Sequence, residues 1–151
     1  MIIGVNTTKD AILLAETDFV NEEFIVKKIL RIKFQIQDAA DLFDLLQNIS
    51  TILGKNAGTT SGIALLKCPG GQYGASIEAI KAEAIVELAA YQMRIPLNMV
   101  TSQSLKKTLE CGGSENWQDK SKAMFNADGH HKYWSQGVNG AACAAYKIAK
   151  K

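Results

Sequence analysis

Residues 61–91, SGIALLKCPGGQYGASIEAIKAEAIVELAAY, decide how the rest of the chain is read. Ile63, Ala64, Leu65 and Leu66 form an apolar run too short for a helix and without polar alternation. That pattern suits a strand buried on both faces. Pro69, Gly70 and Gly71 end it. Ser76 is a suitable N-cap, after which Ile77, Ile80, Ala84, Leu88 and Tyr91 recur at helical spacing. The stripe is expected to face the core, with Glu78, Lys81, Glu83 and Glu87 largely off it. Abundant alanine gives the same segment helix propensity. The stretch is therefore an interior strand, a glycine-rich turn and a long helix.

Upstream, residues 1–6 and 11–15 are apolar and separated by the polar Thr7-Thr8-Lys9-Asp10, which predicts a hairpin. A second turn is expected over residues 17–23, marked by Asp18 and Asn21. In residues 24–34, Ile25, Ile29 or Leu30, Ile32 and Phe34 are interleaved with Lys27, Lys28, Arg31 and Lys33, the pattern of a strand with one wet face. Asp38 is placed to cap a helix carrying Leu42, Leu45, Leu46, Ile49, Ile52 and Leu53, with Gly54 as its stop. Downstream, residues 96–100 suit a short strand, and Thr101 and Ser102 cap a helix through Leu109. Residues 117–125 suit a further helical segment, and residues 141–150 a closing helix with small residues inward. The order β-β-β-α-β-α-β-α(-α)-α implies an α/β fold. Its mixed five-stranded sheet has three antiparallel strands, then two βα units, with helices on both faces.

At 151 residues the chain is expected to form one domain, 1–151. A net charge of +2 is too weak a bias to argue for nucleic acid, so any basic surface must be local. Cys68, Cys111 and Cys143 are dispersed and odd in number, which argues for reduced thiols in a cytoplasmic protein. The start MIIGVNTTKD has no basic n-region and no long apolar core, so no secretory leader is expected. No apolar run approaches the ~20 residues that span a membrane.

Four segments carry a family likeness. Ile2-Ile3-Gly4-Val5-Asn6 resembles the first strand of the ribonuclease H-like fold, most closely its RuvC branch of Holliday junction resolvases and small bacterial relatives. Ile63-Ala64-Leu65-Leu66-Lys67 resembles that family's fourth strand, residues 96–109 its fifth strand and following helix, and residues 138–148 its closing helix. The resemblance spans nearly the whole chain and implies a three-layer fold. It also implies a nuclease centre in which carboxylates hold two divalent ions ~4 Å apart. The matching positions here read Asn6, Lys67, Asn139 and Ala142. Asn offers one neutral oxygen, and an ammonium at Lys67 repels the cation that belongs there by several kcal/mol. The resemblance thus implies a scaffold whose catalytic acids are replaced. The expectation is a catalytically inactive binding or interaction module for nucleic acid or a phosphate-bearing ligand. No cofactor is expected on that reading.

Other residues bear on it. Lys67 either fills a vacated metal site or is a strand-end lysine reaching solvent. Gly70, Gly71 and Ser76 could hold an anion at the helix start, although the segment lacks the Gly-Lys-Ser/Thr of a P-loop and suits a plain β–α turn. Lys106 and Lys107, with Lys120 and Lys122, could form a basic edge, and Trp117, Tyr133 and Trp134 could stack on bases. Against this, lysine pairs are usually solvated and Trp is commonly core. Asp128, His130 and His131 are metal-ligand types, but adjacent histidines on a loop seldom point at one ion. Cys143 among alanines is expected in the core. Two alternatives stay open: a divergent Mg²⁺- or Mn²⁺-dependent nuclease recruiting Asp10, Glu78 or Asp128, and a structural or protein-binding homodimer formed through amphipathic helix faces.

Overall fold

A computed structural model describes residues 1–68, 76–125 and 133–150. Among these, β1 (Ile2–Thr7), β2 (Ala11–Val20), β3 (Glu23–Lys33), β4 (Gly62–Leu66) and β5 (Leu97–Val100) form one sheet of order β3-β2-β1-β4-β5. β1–β2 and β2–β3 are antiparallel; β1–β4 and β4–β5 are parallel. The helices are α1 (Ala39–Lys55), α2 (Ile77–Gln92), α3 (Ser102–Thr108), α4 (Trp117–Met124) and α5 (Val138–Ala149).

The β2–β3 hairpin is longer than the sequence suggests. Its turn is at Asn21 and Glu22, both with positive φ (53° and 66°), which matches the twist of the flanking strands. The polar residues expected to make a turn lie inside β2 instead. Thr17 is buried because its hydroxyl donates to the Ile2 carbonyl at 2.8 Å. In β3 the pairing slips between Glu16 and Thr17, leaving Lys27 as an extra residue. This bulge resets the alternation. Val26 and Ile29 pack on one face of the sheet and Leu30, Ile32 and Phe34 on the other, while Ile25, expected inward, is exposed.

Asp38 caps α1, its carboxylate accepting the Asp41 N–H at 3.0 Å, while Asp41 reaches back to the Gln37 N–H at 2.8 Å. Leu45, Ile49 and Leu53 of α1 pack on Ile3, Val5, Ile63 and Leu65. α2 covers the same side of the sheet, but through Ala79, Ala82, Ile85, Val86, Ala89 and Ala90. The stripe expected to face the core points outward: Ile77, Ile80, Leu88 and Tyr91 are exposed. Both faces of α2 are apolar, so periodicity could not choose between them. The alanine-rich face lets the helix lie closer to the sheet.

α5 covers the opposite face. Its small side chains meet Ala11, Leu13 and Ala15 in one cluster and Ala64 and Leu66 in another, to which α3 and α4 add Leu105 and Trp117. The approach is so close that a Cβ on Gly4 of β1 would collide with the Ala141 carbonyl oxygen. Helices on both faces of a mixed sheet give the expected three layers. α5 starts at Val138, three residues earlier than expected, because Gly137 adopts φ +130° and turns the chain directly into it.

Candidate functional site

The site lies where the C-terminal ends of β1 and β4 meet the start of α5. Residues 2, 4 and 6 of β1 face α5. Register pairs Val5 with Leu65, so Asn6 and Leu66 are neighbours on that same face. A Cβ on Gly140 would lie 2.7 Å from Leu66 Cδ2 and 2.8 Å from Asn6 Nδ2. One on Gly137 would lie 3.3 Å from Asn6 Nδ2. Asn6 Nδ2 donates to the Gly137 carbonyl at 3.0 Å. The four residues brought together are therefore Asn6, Leu66, Gly137 and Gly140.

Of the positions singled out from sequence, only Asn6 belongs to this group. Lys67 lies one residue beyond Leu66, just past the end of β4. It is exposed, and its N–H donates to Val100 O at 2.7 Å. Asn139 is buried with its Oδ1 accepting the N–H of Gly140 at 2.7 Å. Ala142 packs with Ala11 and Leu13. Leu66, Gly137 and Gly140 escaped sequence reading because apolar and glycine residues carry no chemical signal. Only the register shows that they face one another.

These side chains do not fit a divalent metal. Hard cations need several oxygen ligands, and this group offers one amide, whose nitrogen is committed to Gly137. Among the described residues no three His, Cys, Asp or Glu side chains could share an ion. Asp128, His130 and His131, like Gly70 and Gly71, lie outside the described residues.

On the other side of β4, Glu83 of α2 accepts the Cys68 N–H at 2.8 Å, and Cys68 Sγ lies 3.3 Å from Thr7 Oγ1. Burial, then the Glu83 hydrogen bond, push the Cys68 thiol up to about 11. Burial pushes the Cys143 thiol up to about 12, offset in part by a hydrogen bond with Ser121. Both thiols are thus protonated at neutral pH and poor nucleophiles. Cys143 lies in the core, as expected.

At the start of α2, weighed as an anion site, Ser76 Oγ accepts the Ala79 N–H at 3.1 Å, which takes up one of the helix-start donors. Glu78 already supplies negative charge in the first turn. Trp117 and Trp134 are buried in the core rather than open for stacking. Lys120 reaches the Glu110 carbonyl at 2.9 Å and Glu115 at 3.9 Å. Lys106 and Lys107 are exposed in the last turn of α3.

A basic surface lies two strands away, on β3. Asn6 pairs with Leu13, which pairs with Arg31, so the three form one row across the sheet on the α5 face. Arg31 lies over the Tyr133 ring, 4.8 Å from its centre. Lys33, two residues on, shares that face. Lys9, Arg31 and Lys33 line an open cleft of about 590 Å³ with Asp10, Glu78, Phe34, Gln35 and Gln37. Two of the acids expected for a divergent nuclease thus share a cleft, but three cations accompany them. The alternation in β3 displayed Arg31 and Lys33 as a wet face; that Arg31 shares a row with Asn6 came only with the register.

The sequence matches no family model and no curated protein. Among solved structures the fold is similar to Thermus thermophilus RuvC in complex with a Holliday junction substrate, with TM-score 0.74 and 14% identity, covering 95% of this chain and 89% of that one. It is also similar to the fowlpox virus resolvase complexed with Holliday junction DNA (TM-score 0.61, 11% identity, 99% of each chain). A third is the yeast mitochondrial Holliday junction resolvase (TM-score 0.59, 11% identity, 95% of this chain and 77% of that one). The chain has the ribonuclease H-like fold of the RuvC type, as the four sequence segments implied.

Proposed function

We propose that this chain is a catalytically silent RuvC-like fold that binds nucleic acid through its phosphate backbone. The observation carrying this reading is the close packing of Asn6, Leu66, Gly137 and Gly140, a group that offers a metal no carboxylate. Binding is supported by Lys9, Arg31 and Lys33 lining one open cleft, and by the junction DNA bound to two proteins of similar fold. Phosphate contacts of this kind orient a duplex without reading its sequence. Lys106 and Lys107 add exposed positive charge on α3. Mobility shift of junction, duplex and single-stranded DNA and RNA, measured across salt concentrations, tests the reading. The expected result is binding that weakens linearly in log–log coordinates as salt rises. No binding even at low salt would remove it.

A further inference from the structure

The turn end of the β2–β3 hairpin carries an aromatic pocket. Phe19 and Phe24 are partners across the two strands, beside the Asn21–Glu22 turn, so their side chains share one face of the sheet. There Phe24 meets Phe125 at the end of α4 and Tyr146 of α5. The three rings pack tilted or edge-on, with centres 5.1, 5.3 and 5.2 Å apart. They line an open pocket of about 320 Å³ together with Phe19 and Met124, each 44% exposed, and with Glu22 and Glu23. Neither carboxylate has an ion-pair partner among the described residues. That volume is at the small end of the ~300–1,000 Å³ of ligand pockets, room for one or two side chains rather than a cofactor.

We infer that this pocket takes an arginine side chain, with an apolar neighbour, from a segment of a protein partner. The lining chooses that occupant by charge and shape. Aromatic ring faces attract cations, and a guanidinium stacks on them better than a strongly hydrated ammonium does. Its planar fork also matches a carboxylate, which Glu22 and Glu23 supply at the rim. The chain shows the same attraction internally, with Lys150 Nζ 5.6 Å from the centre of the Tyr146 ring. Phe19 and Met124 leave exposed apolar surface for the neighbouring residue, and aromatic and Met side chains are the types that concentrate in protein interfaces. A phosphate backbone is the wrong partner, because the two glutamates repel it. The pocket is separate from the nucleic-acid reading. Phe19 lies six residues along β2 from Leu13, the strand partner of Asn6, about 20 Å away.

Methionine methyl resonances of the whole chain, labelled with carbon-13, report on the pocket directly. Met124 lines it, whereas Met93 and Met99 lie elsewhere and serve as controls. The probe is acetyl-leucyl-arginine amide, compared with its citrulline analogue, which has nearly the same shape without the charge. The arginine peptide should shift Met124 saturably while Met93 and Met99 stay in place, and the citrulline peptide should bind several-fold more weakly. Glu22→Gln with Glu23→Gln changes charge but not shape at exposed positions, and should weaken the arginine peptide about threefold to tenfold. No Met124 shift up to about 10 mM peptide overturns the inference. So does equal binding of the citrulline analogue, or a DNA duplex that shifts Met124 as the peptide does.

Discussion

Gly140→Ala probes how tightly the Asn6 group is closed. The new methyl would lie 2.7 Å from Leu66 Cδ2 and 2.8 Å from Asn6 Nδ2, about 1 Å inside normal contact. Neither neighbour retreats easily: Leu66 is 6% exposed on a strand buried along its length, and Asn6 is tied to Gly137 O at 3.0 Å. Relief requires α5 to lift from β1 or Asn6 to give up its hydrogen bond. Overpacking of this kind costs roughly 1–3 kcal/mol, and breaking an internal hydrogen bond about 1 kcal/mol. A destabilisation near 2 kcal/mol is expected, a fall in Tm of roughly 4–8 °C for a chain of this size. Chemical denaturation of Gly140→Ala, Leu66→Ala and the double variant measures it. Leu66→Ala alone should cost about 2–5 kcal/mol for its cavity. The double variant should recover about 1 kcal/mol relative to the sum, because the alanine methyl occupies space the leucine vacated. A neutral Gly140→Ala with strictly additive energies would refute the closed packing.

Several other outcomes follow from the same geometry. Arg31→Ala with Lys33→Ala should weaken binding to all nucleic acids alike and reduce the salt slope by roughly one for each phosphate left without its cation. Mg²⁺ or Mn²⁺ should leave Tm unchanged on addition or chelation, whereas a metal at a hundredfold its dissociation constant would stabilise by about 2.7 kcal/mol. The Cys143 thiol, pushed to about 12 against 9.0 in its unfolded reference, keeps its proton longer in the folded state. Its contribution to stability is complete below pH 9 and is lost as pH rises toward 12. The difference in unfolding free energy between wild type and Cys143→Ala should therefore shrink above pH 9. Asp38→Ala, which removes the α1 cap, should cost about 1 kcal/mol in the same unfolding assay.

Much of the architecture was legible because local signals agreed. Asp38, Ser76 and Thr101 each cap the helix expected of them, and the apolar run of β4 is indeed buried on both faces. What was not legible depended on partners. Thr17 looked like a turn residue until the Ile2 carbonyl met its hydroxyl. The outward stripe of α2 looked like a core face because sequence shows periodicity, not which of two apolar faces meets the sheet. The Asn6 group was hardest. Leu66 is a buried methyl group at the end of β4 and Lys67 an exposed cation just past it, and an unbroken apolar run carries no alternation to show which side chain faces α5. Gly137 and Gly140 matter for what their missing side chains allow, a property visible only once α5 lies against β1.

The most direct measurement is strand cleavage of a four-way DNA junction with protein in excess over DNA, in Mg²⁺ and in Mn²⁺. The closed Asn6, Leu66, Gly137 and Gly140 group predicts a shifted complex whose strands remain intact. Cleavage above background that disappears in the Asn6→Ala variant would contradict it.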